Sequence, residues 1–200
     1  MILSGAHCDE LSDAEIIRKS LEQVDYFSCL YLRYGPRLLQ YIQRISSYTP
    51  EEAEDLLQEA FIKIWKNLNA YQPSLKLSSW LYRIVHNHVI STWRKQHGQD
   101  MTYTLTWDDR LPEDLAEDLE YDDADEDRMS RLRRAVQALP DKYQEVVTLK
   151  YFEEMNYEEI SDVLKIPEGT VATRLNRARQ MMAKFCNKSL TKTNTDGPRR

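Results

Sequence analysis

One stretch of this chain resists burial, and it divides the rest. Between Asp100 and Asp127 stand 13 acidic residues against a single base, Arg110, a local balance of −12. Like charges at that density repel one another and keep the backbone extended and solvated, so a continuous core cannot run through it. Leu111, Leu115 and Leu119 recur every four residues, which allows a short acidic helix within the run. The whole chain carries −6, so the remainder carries +6. A 200-residue chain split in this way is expected to form two bodies, about 13–97 and 128–185, with an acidic linker over 98–127. Residues 1–12 show no periodic pattern and are expected to be flexible. Residues 186–200, polar and containing Gly197-Pro198, are expected to form a disordered tail.

Both bodies are expected to be all-α. Only 5 glycines and 7 prolines punctuate the chain, and a 42% hydrophobic content supplies enough apolar side chains for real cores. No apolar run approaches the roughly 20 residues that span a bilayer. The N-terminus lacks a basic start followed by an apolar block, so it does not read as a secretory signal. Cys8, Cys29 and Cys186 are odd in number and scattered. They form no paired metal spacing and argue for a reducing cytoplasm.

In the first body a helical pattern starts at Asp13, with Ile16, Ile17, Leu21, Val24, Phe27, Leu30 and Tyr31 near helical spacing. Pro36 predicts a break or kink, after which Leu38, Leu39, Ile42 and Ile45 continue. Thr49-Pro50-Glu51-Glu52 reads as a cap, a proline in the first turn, and acids favoured by the helix dipole. In the helix that follows, Ala53, Leu56, Leu57, Ala60, Phe61, Ile64, Trp65 and Leu68 form a broad buried stripe. Asp55, Gln58, Glu59 and Ile62 share a separate face, which is either solvated or a partner surface. A loop from Asn69 to Leu77 carries Tyr71 and Pro73. The next helix, 78–96, is expected to bury Trp80, Leu81, Ile84, Val85 and Val89. Arg83, Asn87 and Arg94 recur on its second face. An exposed tyrosine beside a helix bearing arginine and asparagine is a composition that stacks and reads unpaired bases, although a lone aromatic can equally anchor its loop. His86-Asn87-His88 spells HNH, but residues two apart point to different sides of a helix, so these histidines cannot share a metal.

The second body opens with a helix ending at Pro140 and another starting near Asp141, with Val136, Leu139, Val146, Val147, Leu149 and Tyr151 as core. Two short helices follow in 157–182. Ile160, Val163 and Leu164 line one face of the first; Pro167 and Gly169 interrupt the pattern, and Thr170 is the expected N-cap of the second. Val171, Leu175, Ala178 and Met182 line the buried side of that second helix. Thr170, Thr173, Arg174 and Arg177 share another face, with Val171 beside them at its start. Short hydroxyls and arginines on a small supported helix suit a DNA major groove, since arginine grips guanine edges or phosphates at two points and threonine reaches a phosphate or a thymine methyl. This is a helix-turn-helix pattern. With 11 bases and 8 acids over 128–185, the module carries a modest +3. A stand-alone regulator would use the same helix pair but would leave the first body without a task. A helical hydrolase or nuclease would need clustered ligands or a nucleophile–base pair on one face, and no such set can be placed.

Four segments together make the chain resemble a known family: RYGPRLL (33–39), EDLLQEAFIKIW (54–65), SSWLYRIVHN (78–87) and ALPDKYQEVVTLKYFEEMNYEEISDVLKIPEGTVATRLNRAR (138–179). In this order, separated by an acidic linker, they resemble the bacterial extracytoplasmic-function sigma factors. The resemblance covers about 24–97 and 128–185. It implies a region-2 domain over 13–97 that binds RNA polymerase core and opens the −10 element, and a region-4 domain over 128–185 that reads the −35 element. It further implies that Asp55, Gln58, Glu59 and Ile62 contact the clamp coiled coil of the largest polymerase subunit. Tyr71, Arg83, Asn87 and Arg94 would then serve −10 melting and capture of a flipped base. Thr170, Val171, Thr173, Arg174 and Arg177 would serve the −35 element, with the same domain on the flap of the second-largest subunit. Such a chain is no enzyme, needs no cofactor, works in the cytoplasm on promoter DNA, and is commonly held by an anti-sigma factor. Two positions depart from the pattern: Ala172, where relatives usually carry a base, and Lys165, where they often carry glycine. A lysine there must accept an awkward backbone or shift the turn.

Overall fold

The computed structural model describes residues 8–98, 115 and 126–193, and among these every regular element is helical. The chain divides into two compact units with the break near residue 101. The N-terminal unit contains α1 (Asp13–Glu22), a 3₁₀ turn (Val24–Tyr26), α2 (Phe27–Ile45), α3 (Pro50–Lys66), a second 3₁₀ turn (Leu68–Ala70) and α4 (Leu77–His97). The C-terminal unit contains α5 (Glu126–Gln137), α6 (Asp141–Val147), a π-helical turn (Thr148–Phe152), α7 (Tyr157–Leu164) and α8 (Glu168–Thr193). Leu115 is helical and fully buried; the rest of the acidic run, with Leu111 and Leu119, lies outside the described residues up to α5.

Local chemistry sets where the helices start. Ser12 caps α1: its Oγ accepts from Glu15 N at 3.3 Å while Glu15 Oε2 accepts from Ser12 N at 2.8 Å. Ser12 Oγ also donates to Glu15 Oε2 at 2.7 Å, and this bond first, with the one from Ser12 N, holds the Glu15 carboxyl below its ordinary pKa. Thr49 and Glu52 form the same reciprocal box for α3, with Pro50 in the first turn as its sequence predicts. Each cap satisfies N–H groups that an open helix end leaves unpaired, an effect of about 1 kcal/mol.

Pro36 does not break the second helix. It lies inside α2, which runs without interruption from Phe27 to Ile45. The only bond it removes is the one to the carbonyl of Leu32, a residue that is 46% exposed. α2 packs on both α3 and α4, which also pack on each other. Leu30, Leu38, Tyr41, Ile42, Leu57, Ile64, Leu81 and Val85 fill the space between them and are buried almost completely. Two expected core residues sit at its margin: Trp65 is 38% exposed, its ring centroid 5.1 Å from that of Phe27 in an edge-to-face pair, and Ile84 is half-buried.

The cysteines depart from the sequence expectation. Cys8 and Cys29 form a disulfide, so segment 8–12, expected to be loose, is tied to the first turns of α2. Cys186 is a buried free thiol. A separation of 21 residues with no recurring pattern carries no sign of that pairing.

In the C-terminal unit α8 packs on both α5 and α6. Val136, Leu139, Val146, Val147 and Leu149 meet Val171, Leu175, Ala178 and Met182 in a core of which no member exceeds 5% exposure. Gln144 closes the end of α5 by donating Nε2 to the carbonyls of Val136 and Gln137, at 2.9 Å each.

Candidate nucleic-acid and partner interfaces

The helix pair of the C-terminal unit is built from its turn outward. Asn156 and Glu159 cap α7 reciprocally, Asn156 N donating to Glu159 Oε2 at 2.8 Å and Glu159 N to Asn156 Oδ1 at 2.9 Å. The turn is closed by Ser161 Oγ donating to the Ile166 carbonyl at 2.7 Å. Lys165 takes the left-handed backbone, with φ of +55°, so the chain accepts the strain instead of moving the turn. α8 then starts at Glu168, earlier than Thr170. The Pro167 carbonyl accepts from Thr170 N at 2.8 Å and Val171 N at 3.1 Å, which puts Gly169 and Thr170 inside the first helical turn.

That register decides which residues of α8 face outward. Val171 is fully buried and belongs to the core, so it cannot touch DNA in this arrangement. Thr170 is half-buried, Thr173 and Arg177 are exposed, and Arg174 is half-buried with Nη1 3.8 Å from Glu145 Oε2. Arg177 hydrogen-bonds the Tyr143 hydroxyl, which lowers the pKa of that phenol. Both guanidiniums are thus steadied by α6 at their sides while the face they share stays open.

A second site lies between α3 and α4. A cavity of about 560 Å³ is lined by Lys63, Asn67 and Ala70 from the α3 side and by Trp80, Arg83, Ile84, Asn87, His88 and Ser91 from α4. Arg83 and Asn87 meet here as their spacing predicts. Arg94, two turns further along α4, is exposed and does not line the cavity. Tyr71 stands behind the wall: its hydroxyl donates to the Leu75 carbonyl at 2.8 Å, and its ring meets that of Trp80 edge-on at 5.4 Å. It is therefore a loop anchor that supports the Trp80 face. Lys63, Asn67 and Ser91 were not visible as site residues, because only the packing of α3 on α4 brings them to Asn87.

His88 links this cavity to the outer face of α3. Its Nδ1 is 2.6 Å from Lys63 Nζ, and its Nε2 is 3.0 Å from Glu59 Oε2. An ammonium offers only donors, so Nδ1 accepts and the ring proton sits on Nε2, toward the carboxylate. Burial lowers the His88 pKa, the Lys63 charge adds to that, and Glu59 opposes both. His86 faces elsewhere, its Nδ1 2.9 Å from the buried Tyr41 hydroxyl, with burial and the Arg94 charge pushing its pKa down to about 4. The two histidines therefore serve different neighbours, as the helical spacing requires.

The face of α3 that carries Asp55, Gln58, Glu59 and Ile62 is exposed along its length, Ile62 by 53%. Val24, Tyr31, Leu32 and Trp65 are further large apolar side chains open to solvent on this unit.

Known proteins match both units. The family model described as Sigma-70 region 2 covers residues 30–98, and that described as Sigma-70, region 4 covers residues 129–182. The ECF RNA polymerase sigma factor SigW of Bacillus subtilis is 33% identical over 187 residues, spanning 84% of this chain and 96% of its own. The ECF RNA polymerase sigma factor SigE of Mycolicibacterium smegmatis is 32% identical over 208 residues, 96% of this chain and 79% of its own. Among solved structures, CnrH bound to the cytosolic domain of CnrY superposes with a TM-score of 0.59 at 19% identity, over 86% of this chain and 96% of that one. The sigma factor RpoE bound to the anti-sigma factor NepR, from Bartonella quintana, gives 0.58 at 22% identity, over 80% and 96%; at these identities the likeness is one of fold. No described helix is long and apolar enough to cross a membrane. Two helical units that match regions 2 and 4, along relatives aligned over most of their length, place this chain among the extracytoplasmic-function sigma factors, which direct RNA polymerase to particular promoters.

Proposed function

We propose that the two units divide promoter recognition between the cavity of the first and the outer face of α8 in the second. The observation that carries this reading is the cavity itself. Arg83, Asn87 and Lys63 converge on a space backed by the Trp80 ring, which offers an amide to read a base edge, cations for phosphate and an aromatic wall. A base extruded from the −10 element, with its sugar and phosphate, is the ligand whose chemistry matches these groups. Tyr71 acts in this reading by supporting Trp80, and Arg94 by meeting backbone further along the strand. Thr170, Thr173, Arg174 and Arg177 read the −35 major groove, and Asp55, Gln58, Glu59 and Ile62 dock on the clamp coiled coil of the largest polymerase subunit. The C-terminal unit also meets the flap of the second-largest subunit.

The chain in this reading is no enzyme, since RNA synthesis belongs to the polymerase, and its place of work is the cytoplasm. CnrH and the Bartonella RpoE were solved with CnrY and NepR, and a protein of that kind is the expected inhibitor of this chain, covering its polymerase-binding faces. Two measurements test the assignment. Asp55→Ala with Gln58→Ala should abolish co-elution with polymerase core on gel filtration. Asn87→Ala should leave co-elution intact and weaken permanganate reactivity at the −10 element; a footprint of normal intensity removes Asn87 from the role.

A further inference from the structure

The Cys8–Cys29 disulfide stands at one end of a chain of contacts that reaches the −10 cavity. Cys8 is 2% exposed and Cys29 fully buried. One turn along α2 from Cys29, Arg33 gathers the tethered segment: Nη2 donates to the carbonyls of Cys8 at 2.7 Å and Leu11 at 2.6 Å, and Nη1 to Asp13 Oδ1 at 2.7 Å. Tyr34 adds a hydrogen bond to Asp13 Oδ2 at 2.5 Å. Asp13 is the first residue of α1, and α1 packs on the Leu68–Ala70 turn. Ala70 lines the cavity, and Tyr71, which follows it, props Trp80. The Asp13 charge contributes, after burial, to raising the Tyr71 pKa, which reflects how near the two elements lie.

Disulfides in proteins of reducing compartments are rare and, where they occur, are usually transient and redox-sensing. We propose that Cys8 and Cys29 form a redox site: the disulfide holds α1 against the Leu68–Ala70 turn and keeps the cavity wall ordered, and reduction to two thiols releases that hold and weakens promoter opening. The functional half of this inference rests on the reading of the cavity given above. The oxidant is a low-molecular-weight disulfide, RSSR. One cysteine thiolate attacks it, forming a mixed disulfide and releasing one RS⁻; the second thiolate then displaces the other, so two thiols lose two protons and two electrons while RSSR becomes two RSH. Two RSH reverse the sequence. Both sulfurs are covered, so exchange proceeds through opening of the short segment ahead of α1, and reduction is correspondingly slow.

The test uses the full chain equilibrated across a series of reduced-to-oxidised glutathione ratios. Alkylation and mass spectrometry give the fraction of the pair oxidised, and hydrogen exchange of residues 68–76 gives the order of the cavity wall. Reduction is expected to speed exchange in that segment about tenfold, a size usual for coupling between two sites. Cys8→Ser should exchange at the reduced rate at every ratio, and Cys186→Ser should behave as wild type. Equal exchange in both states, or slow exchange in Cys8→Ser, overturns the proposal. The same samples are then combined with polymerase core and promoter. Permanganate reactivity at −10 should follow the oxidised fraction in wild type and stay low in Cys8→Ser. Coupled exchange with no −10 opening in either state would refute the cavity reading and leave the redox site standing. Normal opening in the reduced protein would refute the functional half alone.

Discussion

Burial of His86 makes the N-terminal unit sensitive to mild acid, and the size of the effect can be worked from its surroundings. His86 is 6% exposed, and its Nδ1 meets the Tyr41 hydroxyl at 2.9 Å. Its pKa falls from 6.5 to about 4, chiefly through burial and then through the Arg94 charge. Once unfolded, the imidazole takes up its proton near pH 6.5; folded, it resists until about pH 4. The unfolded state therefore binds more protons as pH drops through this window, so stability is complete above pH 6.5 and is lost on the way down. For one group with these values the loss is about 2 kcal/mol by pH 5 and about 3 kcal/mol by pH 4. His86→Gln keeps an acceptor for Tyr41 but does not titrate, so the difference between the two proteins isolates His86 from the carboxylates and from His88, which titrate in both. Urea unfolding followed by tryptophan fluorescence suits the measurement, because Trp65, Trp80 and Trp93 lie in this unit and residues 128–185 contain none. The wild-type midpoint should fall more steeply than that of His86→Gln between pH 7 and 5. Parallel profiles would refute the argument, whatever the absolute stability of the variant.

Two further outcomes follow from the C-terminal unit. Arg174→Ala or Arg177→Ala should weaken use of a −35-dependent promoter by about 1–3 kcal/mol per lost base contact, measured as run-off transcription against a promoter that lacks the element. Equal loss on both templates would move these residues from reading bases to a general role. Lys165→Gly should relieve the left-handed backbone at the cost of the exposed 3.4 Å contact with Asp162 and of greater freedom in the unfolded chain. The net gain is about 0.5 kcal/mol, seen as a higher melting temperature with unchanged DNA affinity; a lower melting temperature would show that the lysine is not strained.

Much of the fold is local in origin and was legible in the sequence. The expected apolar stripes of α3 and α8 are buried except at Trp65, and Thr49 and Glu52, three residues apart, close the start of α3. The errors are local choices that several turns could satisfy. Pro36 sits within a helix because one missing hydrogen bond near a half-exposed residue is outweighed by a well-buried face on either side. α8 starts at Glu168 and not after Thr170 because the Pro167 carbonyl takes the Thr170 and Val171 N–H groups, which leaves the threonine inside the first turn.

By itself, then, the sequence determined two helical bodies separated by an acidic run, the helix pair of the second body, and the outward placement of Asp55, Gln58, Glu59, Arg174 and Arg177. Periodicity and charge repulsion act over a few residues, and they are written in the order of the side chains. Tertiary structure alone decided that Lys63 and Asn67 join Arg83 and Asn87 around one cavity, that His88 stands between Lys63 and Glu59, and that Cys8 reaches Cys29. Those meetings depend on how helices cross, which is set by the packing of a whole core and by no spacing within a single helix.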